Sequence, residues 1–190
     1  MVLDIQGSES FVKLLFKFKP SPGKTRALDC GAGIGRVSKN LLMNHFQTCD
    51  LIEQDVNFAE TARTNLSCSG HLGTVYNCGL QEFKPSEQVY DVIWSQWVLG
   101  HLLDDDLVAF FKAMASVLNK NGIIVVKENF TNGDKVVWDH KDSSVTRPLK
   151  QFKILLKKAD LKIIKEARQT NFPKSLFPVH MIALRPMTKK

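Results

Sequence analysis

The 190-residue sequence lacks any paired-cysteine signature. Cys30, Cys49, Cys68 and Cys78 form no CxxC pair and have no histidine at zinc spacing, so neither a disulfide framework nor a metal site is expected. No apolar run approaches the roughly 20 residues a membrane helix needs. There is also no secretory signal pattern, internal repeat or low-complexity tract. The expectation is a soluble protein with reduced thiols and no membrane association, cytoplasmic and nuclear. Against these absences the bulk is ordinary, with 44% hydrophobic and 24% charged residues, close to an average soluble domain. The length suits one domain over 1–190.

Acidic residues are scarce only toward the carboxyl end. Residues 135–190 hold 14 Lys or Arg against 4 Asp or Glu, whereas residues 1–134 hold 12 against 15. A basic surplus of this kind can draw in acidic partners. These lysines fall on what read as solvated helix and strand faces, so direct nucleic-acid binding is not expected; the oligomeric state is not legible.

Phe11, Leu14, Leu15 and Phe18 are spaced i, i+3, i+4, i+7, predicting an amphipathic helix that docks on a core. Pro20-Ser21-Pro22-Gly23 breaks it, leaving 1–22 as helix and linker. Beyond it the pattern alternates, with strands at 26–30, 49–53, 74–78, 90–95 and 122–127 and helices at 36–46, 57–66 and 104–118. Such alternation predicts a doubly wound, mostly parallel α/β sheet covered on both faces. Residues 129–146 are polar and read as an insertion before a helix at 148–159. Two closing strands at 161–167 and 180–185, with no helix between them, predict an antiparallel edge.

The first strand runs into Leu28-Asp29-Cys30-Gly31-Ala32-Gly33-Ile34-Gly35. Glycines there let backbone approach a ligand, and the following helix points N–H groups at an anion. Dinucleotide enzymes space these glycines GxGxxG; here they run GxGxG, with Glu53 ending the next strand where a ribose diol would sit. This spacing favours S-adenosylmethionine over NAD. Arg36 stands in the first helical turn, where the helix dipole disfavours a cation. A functional reason follows, and we assign it to the methionine carboxylate.

Taken together, LDCGAGIGR (28–36), CGLQEF (78–83), DVIWSQWVLGHL (91–102), NGIIVVKEN (121–129) and DHKDSSVTR (139–147) resemble the protein N-terminal (alpha-N) methyltransferases. That family methylates the exposed α-amine of proteins beginning Xaa-Pro-Lys or Xaa-Pro-Arg. The resemblance implies a class I S-adenosylmethionine methyltransferase fold with seven strands. It places Gly31, Arg36, Glu53, Leu80 and Gln96 on the cofactor, with Leu80 beside the adenine and Gln96 near the methionine. It places Trp97, Asn129, Asp139 and Ser144 on the peptide, and Asp142 and His101 at the reacting amine. Asp139 would recognise the third-position Lys or Arg through a charge-assisted bond, and Trp97 would offer a flat face to the proline ring.

The chain departs from the family pattern at Glu53 and Glu128, which stand where aspartate is expected, and at Phe177, which replaces a tyrosine. The resemblance also implies an upstream segment with an aromatic lid ahead of the point matching Met1; a wetter site is the corresponding expectation. Two other readings fit the residues: a weakly active or silent member that binds Xaa-Pro-Lys termini or an active paralogue, and a methyltransferase of this fold with another substrate. The second lacks support from the fourth strand, where Trp94-Ser95-Gln96-Trp97 stands in place of an N/D-PP-Y tetrad.

Overall fold

The computed structural model describes residues 3–84, 90–173 and 176–187; the outermost residues of the expected 1–190 domain lie outside this description. Its elements are α1 (Leu3–Leu15), β1 (Arg26–Cys30), α2 (Arg36–Asn40), β2 (Thr48–Ile52), α3 (Val56–Leu66), β3 (Leu72–Tyr76), β4 (Tyr90–Gln96), α4 (Asp104–Ser116), β5 (Leu118–Asn129), β6 (Val137–Asp139), β7 (Ser144–Thr146), α5 (Leu149–Lys158), β8 (Leu161–Arg168) and β9 (Val179–Pro186). Seven strands form one sheet in the order β3-β2-β1-β4-β5-β9-β8. The first five run parallel, and β9 lies antiparallel to both β5 and β8. The expected antiparallel edge is therefore present. None of the helices described is long and apolar enough to cross a membrane.

Successive strand residues face opposite ways, so the sheet separates two cores. Val92 and Trp94 join one core with Phe11, Val12 and Leu15 of α1, Val37 of α2 and Ala59 and Ala62 of α3. Ile93 faces the other, formed with Leu107, Phe110 and Phe111 of α4 and Phe152, Leu155 and Leu156 of α5. Burial on both faces explains why Val92, Ile93 and Trp94 of β4 read as a continuous apolar run rather than an alternating one. Asp104, Asp105 and Asp106 open α4, where carboxylates complement the helix dipole. Asp55 caps α3 by accepting from the Asn57 and Phe58 amides.

Several sequence expectations need correction. The helix expected over 36–46 is α2 followed by a separate 3-10 turn, Leu42–Asn44. Leu41, Leu42 and Met43 are all buried. Consecutive residues on an α-helix lie about 100° apart, so one helical face cannot carry all three inward; the break lets them. The strand expected over 74–78 is Leu72–Tyr76, ending earlier because Asn77 turns its amide onto the Glu53 and Gln54 carbonyls. The strand expected over 122–127 runs from Leu118 to Asn129 as β5, and within the 129–146 insertion β6 and β7 pair as a small antiparallel hairpin.

Strand order reverses between β1 and β4, and crevices for ligands form at the carboxyl ends of strands flanking such a switch point. Gly31, Glu53, Gln96 and Trp97 all come from those ends.

Candidate active site

Gly31, Gly33 and Gly35 have φ of 71°, 56° and 81°, left-handed values that favour glycine. A Cβ on Gly31 would overlap Val98 Cγ2, and one on Gly35 would lie 2.7 Å from Leu66 Cδ1, whereas one on Gly33 would meet nothing within 4 Å. Two of the glycines are thus fixed by packing, and the middle one presents backbone to open space. Glu53 braces the turn: its Oε2 accepts from the Gly33 amide at 2.7 Å and its Oε1 from the Asp55 amide at 2.9 Å. Asp29 faces away from the cavity. Its carboxylate accepts from the Ser38 amide and hydroxyl, anchoring α2, and burial pushes its pKa up to about 6.

Above this turn lies a cavity of about 520 Å³ lined by Gly31, Gly33, Glu53, Phe58, Leu80, Trp97, His101 and Asp142. An apolar wall at Leu80, a carboxylate at Glu53 and the absence of a side chain at Gly33 suit a nucleoside with a diol. A second cavity of about 370 Å³ is lined by Trp97, His101, Glu128, Asn129, Asp142, Ser144 and Phe177. Trp97, His101 and Asp142 line both. The two cavities therefore share a wall made of the residues assigned to the proline ring and the reacting amine.

The wall rests on an unusual backbone. Trp97 has φ of 54°, a conformation costly for a bulky residue and concentrated at functional sites. Its amide donates to the Lys127 carbonyl at 3.1 Å. Glu128 then holds the next two amides, with Oε1 accepting from Val98 at 2.8 Å and from Leu99 at 2.9 Å. Burial pushes the Glu128 carboxyl up to about 7 despite these donors. Asp142 goes the opposite way. Hydrogen bonding from Ser144, with His101 nearby, holds its exposed carboxyl below the usual range, so Asp142 stays ionised near neutral pH.

Not every predicted residue joins these cavities. Gln96 is buried and lines neither cavity, donating to Asp4 and accepting from Trp94 Nε1. The Arg36 guanidinium donates to Asp4 Oδ2 at 2.8 Å and lies 5.8 Å from the Trp97 ring. Asp139 is exposed on β6, outside both cavities, with its Oδ1 taken by the Lys141 amide. Asp4, Val98 and Phe172 escaped the sequence reading. Asp4 looks there like an ordinary acid in a first helical turn, and nothing local marks it as 3% exposed. Beside Trp97 a mostly apolar concavity is lined by Leu3, Asp4, Arg36, Phe172, Pro173 and Leu176.

The switch-point crevice, the GxGxG cradle and Glu53 at the end of β2 define a class I S-adenosylmethionine-dependent methyltransferase. The chain belongs to the family described as AdoMet dependent proline di-methyltransferase, whose profile matches residues 1–185. It is 47% identical to the alpha N-terminal protein methyltransferase 1 of Drosophila melanogaster, over 99% of this chain and 68% of that protein. It is 45% identical to the N-terminal Xaa-Pro-Lys N-methyltransferase 1 of Danio rerio, over 96% of this chain and 82% of that protein. Among solved structures, a SAM-dependent methyltransferase from Leishmania major superposes with a TM-score of 0.91 at 38% identity, covering 96% of this chain and 72% of that one.

Proposed function

We propose that the protein transfers methyl groups from S-adenosylmethionine to the α-amine of proteins beginning Xaa-Pro-Lys or Xaa-Pro-Arg. The observation that carries this reading is the shared wall: one cavity suited to a nucleoside and one suited to a short peptide meet at Trp97, His101 and Asp142. Gly31, Gly33, Glu53 and Leu80 hold the nucleoside end, with Arg36 and Gln96 toward the amino-acid end.

The cofactor supplies an electrophilic methyl on a sulfonium, and the rest of the chemistry is orientation and proton removal. Trp97 receives the substrate proline ring, Asn129 and Ser144 meet the peptide backbone, and Asp139 waits at the rim for the third-position cation. An α-amine titrates near 7.7–8.0, so roughly a tenth of it is already neutral at pH 7. Asp142, held ionised, accepts an N–H from the amine and so aims its lone pair, but a lowered pKa makes it a weak base. His101, on the same wall, offers a ring nitrogen that can take up the released proton.

The test is incubation with S-adenosylmethionine and three peptides beginning Ser-Pro-Lys, α-acetyl-Ser-Pro-Lys and Ser-Ala-Lys. Mass spectrometry should find added methyls on the first only. Equal modification of the first two would remove the α-amine assignment, and equal modification of the first and third would remove the proline contact.

A further inference from the structure

Asp4 of α1 is 3% exposed and sits among three groups from separate parts of the chain. Its Oδ2 accepts from Arg36 Nη1 at 2.8 Å and Gln96 Nε2 at 3.1 Å. Its backbone carbonyl accepts from the buried Lys127 ammonium at 2.6 Å, which also donates to Ser8 Oγ at 2.9 Å. Burial and the positive Arg36 push Lys127 down to about 8, Asp4 countering the shift. Its other oxygen, Oδ1, is buried and has no hydrogen-bond partner among the described residues. A carboxylate oxygen taken from water without a donor is expensive, and two donors on one oxygen with none on the other is an incomplete set.

Arg36 and Gln96 are the two residues that the proposed function sets at the amino-acid end of the cofactor, and the following assignment rests on that reading. We propose that Asp4 completes this end of the cofactor site. Through Oδ2 it fixes the direction of Arg36 and the amide orientation of Gln96; through Oδ1 it supplies the acceptor that the cofactor's α-ammonium needs. The chemistry is complementary on both sides, since a zwitterionic amino acid presents a carboxylate to Arg36 and three N–H donors to Asp4. Lys127 and Ser8 keep the first turn of α1 where this contact requires it. Helix α1 is then part of the cofactor site and not merely a cover for the sheet.

The experiment is calorimetric titration of the wild-type protein, Asp4→Asn and Asp4→Ala with two probes. S-Adenosylhomocysteine carries the amino-acid end, and 5′-methylthioadenosine keeps the adenosine and sulfur but lacks it. The expected result is a loss of about tenfold or more in S-adenosylhomocysteine affinity for Asp4→Ala, of the size a charged hydrogen bond carries. Asp4→Asn should lose less, and 5′-methylthioadenosine affinity should stay within about twofold in all three proteins. Equal weakening of both probes would mean that Asp4 only holds α1 in place, overturning the proposal. Tighter S-adenosylhomocysteine binding by Asp4→Ala would show Asp4 competing with the ligand for Arg36, and would overturn it too. If the wild-type protein bound neither probe, the cofactor reading itself would fall, an outcome distinct from both.

Discussion

The two cavities are built by different means. The nucleoside side is founded on a backbone turn: left-handed glycines, amides braced by Glu53, and α2 anchored by Asp29. The peptide side is mostly side chains, brought from the ends of β4 and β5, from the β6–β7 hairpin and from the segment before β9. Backbone cradles tolerate little change and bind what any related enzyme binds. Side-chain walls can be altered one residue at a time and so decide what is bound. Cofactor class and substrate choice are thereby separable in this fold, and variants on the two sides should fail in different ways.

The largest effect should come from Gly31→Ala. Left-handed backbone costs about 1–3 kcal/mol for other residues, and a Cβ overlapping Val98 adds about 1–3 kcal/mol more. Cofactor binding by calorimetry and the melting temperature should both drop. A variant that melted normally and bound S-adenosylhomocysteine normally would deny that packing closes the turn. Next, Asp142→Asn combined with His101→Gln should lower kcat by about 10²–10⁴ at saturating S-adenosylmethionine. Wild-type kcat from pH 6 to 8 would remove both residues from the reaction.

Trp97→Gly should relieve the left-handed strain and remove the proline contact together. Peptide KM should rise about 2- to 10-fold, the range for an aromatic contact of about 0.5–1.5 kcal/mol, with no loss of melting temperature. A destabilised protein would contradict the strain reading. Glu128 provides a pH test. Its carboxyl titrates at about 7 when folded, against an ordinary 4.5. Between those values the folded state holds a proton that the unfolded state has released, so its contribution to stability falls as pH rises through that window. Glu128→Gln should match wild type in urea unfolding at pH 4.5 and be more stable at pH 7.5. Smallest is Asp139→Ala, which removes an exposed charge and should weaken Ser-Pro-Lys over Ser-Pro-Ala discrimination by about 1 kcal/mol or less.

The same contrast explains what was legible in the sequence. Gly31, Gly33, Gly35 and Glu53 announce the nucleoside side because backbone conformation restricts residue type at fixed spacing, and the strand–helix alternation carried the sheet with its antiparallel edge. The peptide side has no local grammar. Trp97, Asn129 and Ser144 lie far apart in the chain and were assigned only through resemblance to a known family. Element ends slipped where tertiary burial overrode propensity, as at Leu41–Met43. Asp4 was missed because its burial depends on Lys127 and Gln96, 123 and 92 positions away.

The central claim is that the two cavities form one reaction site through Trp97, His101 and Asp142. Its most direct test is a conjugate joining the sulfur position of S-adenosylhomocysteine to the α-nitrogen of Ser-Pro-Lys by a short chain, titrated beside each half alone. If the cavities meet as described, the conjugate binds about 10²- to 10⁴-fold more tightly than the stronger half. Affinity no better than that half would mean the two cavities do not receive donor and acceptor together, contradicting the account.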